Sequence, residues 1–195
     1  MCPPNPHPAS PKADELQLDL GEAGWGLGGH RDAGNFSQAQ MNSLRKVFHT
    51  LNRFMVFMWK LGMGRLINIW PAGIGRIMII KHRGRKSGKE YLTPVNYALV
   101  AGEIYCTAGF GSISDWYRNM LANPIIELWL PEGKRKARAE DISEAPNRLF
   151  LLRQVIIASG FAGPLFGINP KKLNDEQLDV LSKEYRLVHF ILEKS

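Results

Sequence analysis

Two short stretches bring together residue types suited to holding a charged, flat molecule. The first is Gly84-Arg85-Lys86-Ser87-Gly88. Bracketing glycines let a turn adopt positive φ and let a ligand come close to the backbone. Successive amides in such a turn can form an anion-binding nest. Arg85 offers a planar fork to phosphate oxygens, Lys86 a point charge and Ser87 a hydroxyl. The GxxxxGK[ST] spacing of a nucleotide-binding loop is missing, and a solvated charged hairpin is the plain alternative. The second stretch runs from Ala108 through Gly109, Phe110 and Gly111 to Ser114-Asp115-Trp116-Tyr117-Arg118-Asn119. A strand that ends in a glycine loop and feeds a helix start presents free amides and the positive end of the helix dipole. Both favour an anion or a polarised carbonyl. Phe110, Trp116 and Tyr117 add flat apolar surface fit for a ring system, although Trp116 and Tyr117 would equally anchor a helix on a core. Ser114 or Asp115 is placed to cap that helix; a base at Asp115 is the other reading.

The elements that must position these stretches follow from periodicity. Arg76–His82 reads as a strand, GRKSGKE as a turn, and Tyr91–Val100 as a second strand that turns at Ala101-Gly102. Glu103–Ala108 is a third strand, and Asp115–Ala122 a short helix closed by Asn123-Pro124. Ile125–Leu130 and Lys134–Ile142 form a hairpin. Glu144–Ser159 reads as a helix, Asp175–Ser182 as another, and Tyr185–Leu192 as a closing strand. Short antiparallel strands with helices at their edges predict an α+β barrel. No GxGxxG follows a strand, which argues against a dinucleotide-binding sheet.

Taken in order, GRKSG, Thr93-Pro94, the glycine loop, DWYRN and Asn123-Pro124 resemble the deazaflavin-dependent nitroreductase family. The resemblance covers about Arg76 to Ile142, with weaker support to the C-terminus. It implies a split β-barrel of the kind that binds flavin mononucleotide (FMN), with coenzyme F420 as the cofactor and FMN as the alternative. Carried over by position, Arg85, Lys86, Ser87 and Gly88 would hold the cofactor's phosphate or acidic tail. Thr93, Pro94 and Val95 would line the ring, Ala108, Gly109, Phe110 and Gly111 would meet its edge through backbone groups, and Trp116 and Asn119 would close the site. The implied activity is hydride transfer to a quinone, nitro compound or activated alkene, a small-molecule electron acceptor. Homodimerisation is a further expectation of the family. Two departures stand out. Tyr91 occupies a position where family members often carry arginine. The stretch Ser159 to Gly167 has phenylalanines in place of substrate-side tyrosines, so no phenolic proton donor is visible and no catalytic side chain is assigned.

The chain has 195 residues and a net charge of +7, enough length for one core and a balance that favours anionic partners. Residues 1–40, Pro-rich and then Gly-rich, read as a disordered leader, and 41–195 as a single domain. The prolines stand where a signal peptide would carry its apolar run, and the two cysteines, Cys2 and Cys106, form no framework. A cytoplasmic location follows as the expectation. From Asn42 or Ser43 a basic amphipathic helix is predicted over 41–64, with Phe54, Met55 and Met58 on its apolar face and Arg45, Lys46, Arg53 and Lys60 on the other. No acidic residue falls between Asp32 and Glu90. Such a segment either packs on its own barrel or lies on an anionic membrane surface through residues 43–65, peripheral to the inner face of the cell membrane; the two are compatible.

Other function classes find less support. His49, His82 and His189 lack metal-ligand spacing. Cys106 sits in a strand and reads as core. Lys134, Arg135, Lys136 and Arg138 lack an interleaved aromatic platform, so no nucleic-acid partner is expected. The competing class is a non-catalytic carrier that holds a cofactor, lipid or tetrapyrrole in the same barrel.

Overall fold

The computed structural model describes residues 52–69, 75–109, 111–160 and 169–193. The expected leader, the first part of the amphipathic helix, Phe110 and the phenylalanine-bearing stretch 161–168 lie outside these residues. Six strands close into an antiparallel barrel: β1 (Ile77–Arg83), β2 (Glu90–Val100), β3 (Glu103–Ala108), β4 (Ile125–Leu130), β5 (Gly133–Asp141) and β6 (Arg186–Leu192), in the order β1-β2-β3-β6-β5-β4. The flanking helices are α1 (52–60), α2 (Gly64–Ile69), α3 (Asp115–Ala122), α4 (Arg148–Ala158) and α5 (Asp175–Leu181). This is the split-barrel class expected. Among the described residues no helix is long and apolar enough to cross a membrane, and no cluster of His, Cys, Asp or Glu is placed to hold a metal ion.

Strand alternation decides what points inward. On β1, Met78 and Ile80 face the interior beside Val95 and Tyr97 of β2 and Leu128 and Leu130 of β4. The other β1 face, Ile77 and Ile79, is buried as well. Ile79 packs with Trp59 of α1 and Trp129 of β4, which is why IMII reads as an unbroken apolar run. α2 adds a polar clasp there: Asn68 Nδ2 donates to Ile77 O, and Ile77 N–H donates back to Asn68 Oδ1, both at 2.9 Å.

α3 plugs one mouth of the barrel with Trp116, Tyr117 and Met120, all part of the main core. α4 covers the barrel from outside through Leu151 and Val155 against Ala98 of β2 and Leu187 of β6. Its opposite side, Leu152 and Ile156, meets Leu178 and Tyr185. α4 starts at Arg148, four residues later than the pattern predicts. Pro146 disfavours helical geometry in Ala145, and Ala145 and Arg148 are tied by local turn bonds. α5 begins with a capping box between Asn174 and Gln177.

Candidate functional site

The barrel wall is incomplete at one place. β2 pairs with β1 from Glu90 to Asn96, but its ladder with β3 runs only from Tyr97↔Cys106 to Val100↔Glu103. Beyond that point Thr107 and Ala108 pair with β6 alone. The stretch Thr93–Asn96 and the end of β3 therefore face each other without a ladder. Pro94 accounts for part of this. Tyr97 N–H donates to Arg76 O, on the β1 side, and strand amides alternate in direction. Three residues earlier, the Pro94 nitrogen points away from β1, toward the gap, where a missing donor costs no ladder bond.

The β1–β2 turn stands at the same end. Gly84 N–H donates to Lys89 O and Gly88 N–H to Gly84 O, each at 2.8 Å. Gly88 has φ 66°, the left-handed region the sequence reading anticipates. Gly84 serves a different need: a Cβ there would lie 2.7 Å from the Tyr91 ring. Lys89 N–H donates to Ser87 Oγ, which also bonds the Tyr91 hydroxyl at 3.1 Å. The Ser87 hydroxyl is thus spent on closing the turn. So are most of the amides expected to form a nest. Among the described residues, only the Lys86 and Ser87 N–H groups of the turn have no partner, and the Lys86 side chain is exposed.

Arg85 also departs from the expected phosphate fork. Its backbone N–H donates to Asn119 Oδ1 at 3.0 Å, and Nη1 donates to Asn119 Oδ1 and to Asp115 Oδ1, both at 2.9 Å. Asp115 and Asn119 are four residues apart on α3, hence on one face, and together they staple the turn to the helix. Asp115 stands in the first turn of α3, one residue past the cap position, and gives its carboxylate to Arg85. Ser114 holds the cap position without a side-chain bond.

The remaining expected site residues divide sharply. Thr93, Val95, Ala108, Gly109 and Asn119 are buried near the gap or beneath α3, and Pro94 lies on the opposite face of β2 from Thr93 and Val95. Those three side chains cannot all line one ring. Trp116 is 2% exposed and belongs to the barrel core, so it closes the barrel mouth from within. Gly111, at φ 61°, turns the chain against Glu184, whose carbonyl would lie 2.1 Å from an added Cβ. Its bareness accommodates this chain's own backbone.

His82 and Tyr91 were missed as site residues. They pair across β1 and β2, and their rings stack at 5.8 Å. His82 Nε2 lies 3.0 Å from Thr93 Oγ1, and Nδ1 lies 3.5 Å from Asn119 Nδ2. Burial pushes the imidazole pKa down to about 4, against an opposing pull from Asp115. The period-two run Met78, Ile80, His82 was the available signal, since it sets His82 on the core face. Tyr117 has a structural role: its hydroxyl donates to Asp141 Oδ2 at 2.5 Å, and burial followed by that bond pushes its pKa up.

A cavity of about 260 Å³ opens at the other end of β2, lined by Tyr97, Leu99, Ile104, Leu130 and Leu192, with Glu132 and Arg135 beside them. Its lining is largely apolar and includes no helix start. The cationic turn and the start of α3 lie at the opposite end, beside the gap.

A family model described as F420H(2)-dependent quinone reductase matches residues 53–162 of the chain. A Mycobacterium tuberculosis protein, Rv3178, provisionally named an F420H(2)-dependent quinone reductase, is 31% identical over 65 residues. That match takes in 32% of this chain and spans 55% of the relative's length. Among solved structures, an F420-H2 dependent reductase (FDR-A) shares 21% identity, with 60% of this chain and 93% of that one covered at a TM-score of 0.42. The conserved hypothetical protein Rv2991 of M. tuberculosis shares 19%, covering 60% and 73% at 0.44. At these scores the two structures have no bearing on function.

Proposed function

We propose, from the premise that the chain belongs to the F420H(2)-dependent quinone reductase family, that it is an F420-dependent oxidoreductase acting on quinones, nitro compounds or activated alkenes. The observation that carries this reading is the gap between β2 and β3 beside a cationic turn that keeps two amides and a lysine unspent. The residues present fit the group: an anionic tail needs donors and positive charge, and a flat ring needs an opening in the wall with backbone polar groups at its rim. When bound, the reduced deazaflavin supplies hydride to the electron acceptor.

This chain's own residues bind and orient. The amides of Lys86 and Ser87 and the Lys86 ammonium would take the acidic tail, with Arg83 and Lys89 adding exposed positive charge nearby. Arg85 fixes the turn against α3, so the donors are held in place before a ligand arrives, which lowers the entropic cost of binding. The backbone rim at Thr93–Asn96 and Thr107–Gly109 would set the ring's position.

Fluorescence titration with oxidised coenzyme F420 and with FMN, in parallel, tests the cofactor. F420 should bind and Lys86→Gln should weaken it about tenfold, the size of one lost charge-assisted contact. Binding of FMN alone would overturn the reading. Reduction of a soluble quinone by the loaded protein separates the enzyme from a carrier, which would bind the cofactor and leave the quinone unchanged.

A specific observation favours an anionic membrane surface as a second partner. α1 is apolar on two sides. Met55 and Trp59 are buried against the barrel, whereas Phe54 and Phe57 are 54% and 56% exposed and Leu61 58%. The sequence reading groups Phe54 with the packed face; in the fold it is exposed, as are Arg53 and Lys60 of the same helix. Exposed aromatic anchors on a basic helix suit the headgroup region of an anionic bilayer. Co-sedimentation with phosphatidylglycerol vesicles should fall on Phe54→Ser, Phe57→Ser substitution; unchanged partitioning would sink the idea.

A further inference from the structure

The hydrogen bonds that join the cationic turn to the open edge of β2 have a direction that can be assigned donor by donor. Asn119 Oδ1 receives two donors from Arg85, its backbone N–H and Nη1. A positively charged group on that side fixes the amide orientation, because the flipped amide would set NH₂ against a guanidinium. Asn119 Nδ2 must then face His82 Nδ1 as a donor. An imidazole that accepts at Nδ1 and is neutral carries its proton on Nε2. Burial keeps it neutral, although Asp115 on α3 pulls the other way, and the Tyr91 ring of β2 stacks on it. The Nε2–H group therefore donates to Thr93 Oγ1. Once the threonine oxygen accepts this bond, its own hydrogen must be directed elsewhere. Thr93 is 3% exposed, and among the described residues its hydroxyl bonds His82 alone. It stands on the stretch of β2 that lacks a ladder with β3.

We infer that His82 is a positioning residue that holds the Thr93 hydroxyl as a donor at the open β2 edge, through the ordered chain Arg85, Asn119, His82, Thr93. The inference rests on the cofactor reading above for its consequence: Thr93 would donate to a carbonyl or ring-nitrogen acceptor of a flat redox ring lodged in the gap. A group able only to donate would be rejected at that point. The same chain links the grip on the anionic tail to the grip on the ring, since both begin at Arg85.

Long-range proton–nitrogen NMR of the full chain without ligand reads the tautomer directly. The expected result is His82 protonated on Nε2 and neutral at pH 7. A proton on Nδ1, or an imidazolium, would overturn the assignment. Titration with oxidised coenzyme F420 reads the consequence. Thr93→Val should weaken binding about tenfold, the size of one lost hydrogen bond, and Thr93→Ser should restore it. His82→Phe combined with Thr93→Val should be no weaker than Thr93→Val alone, because the two act as one unit. Independent, multiplying losses would overturn the chain, as would native affinity in Thr93→Val. Should His82→Phe not fold, His82→Gln, which keeps an amide donor toward Thr93, replaces it and should bind more tightly than Thr93→Val. Failure of the native chain to bind F420 would count against the cofactor reading; the tautomer would still decide the inference.

Discussion

The two ends of strand β2 are built on opposite terms. At its far end, Val100 and Glu103 are joined by Ala101-Gly102, both at positive φ (53° and 86°), the geometry of the tightest hairpins. The ladder with β3 begins there at once and is complete through Tyr97. At its near end a longer cationic turn consumes its own amides, leans on α3 through Arg85, and the ladder with β3 is absent. One end satisfies the chain's hydrogen bonds with the chain itself. The other leaves donors and an edge for something else, and compensates with a buried polar network. A strand edge without a ladder beside an over-determined turn is what the proposed site rests on.

The sharpest way to break the contrast is at Gly111, which lets the glycine loop pass under Glu184. Gly111→Ala combines a left-handed backbone with a carbonyl clash and should cost about 3 kcal/mol, seen as a lower midpoint in urea denaturation. Next comes the acid response of the near end. The unfolded chain protonates His82 near the ordinary value of 6.5 and the folded chain only near 4. Between those values the unfolded state binds more protons, so stability falls as pH falls from about 6.5 to 4, by up to about 3 kcal/mol from this residue. His82→Gln should flatten that part of the stability–pH curve; an unchanged slope would place the loss elsewhere. Arg85→Gln should cost about 1 kcal/mol, since the ion pair is partly solvated, and should weaken F420 binding through a loosened turn. The smallest effect belongs to the far end. Ala101→Gly relieves a left-handed alanine while loosening the unfolded chain, and should stabilise by about 0.5 kcal/mol without touching cofactor affinity.

Much of this architecture was legible beforehand. Period-two alternation and turn residues located every strand to within a residue or so, because local backbone preference and a half-buried wall impose the same pattern. The β3, α3 and β4 limits match outright. The late start of α4 shows where local preference yields, at Pro146. The side-chain roles were less legible. Arg85 and Ser87 have the chemistry of phosphate ligands, yet the fold spends the Arg85 backbone N–H and Nη1 on α3 and the Ser87 hydroxyl on Tyr91 and Lys89. Trp116 has the chemistry of a ring-stacking residue, yet it fills the core.

Residue types and their spacing alone determined the barrel class, the turn's positive charge and the presence of a glycine-led helix start, since each depends on interactions within a few positions of the chain. Only the tertiary structure decided which donors remain unspent, because a hydrogen bond between Arg85 and Asn119 spans 34 positions and exists only when β1 and α3 meet. It also buried His82 and kept its imidazole neutral, because desolvation is a property of the surroundings and no sequence position carries it.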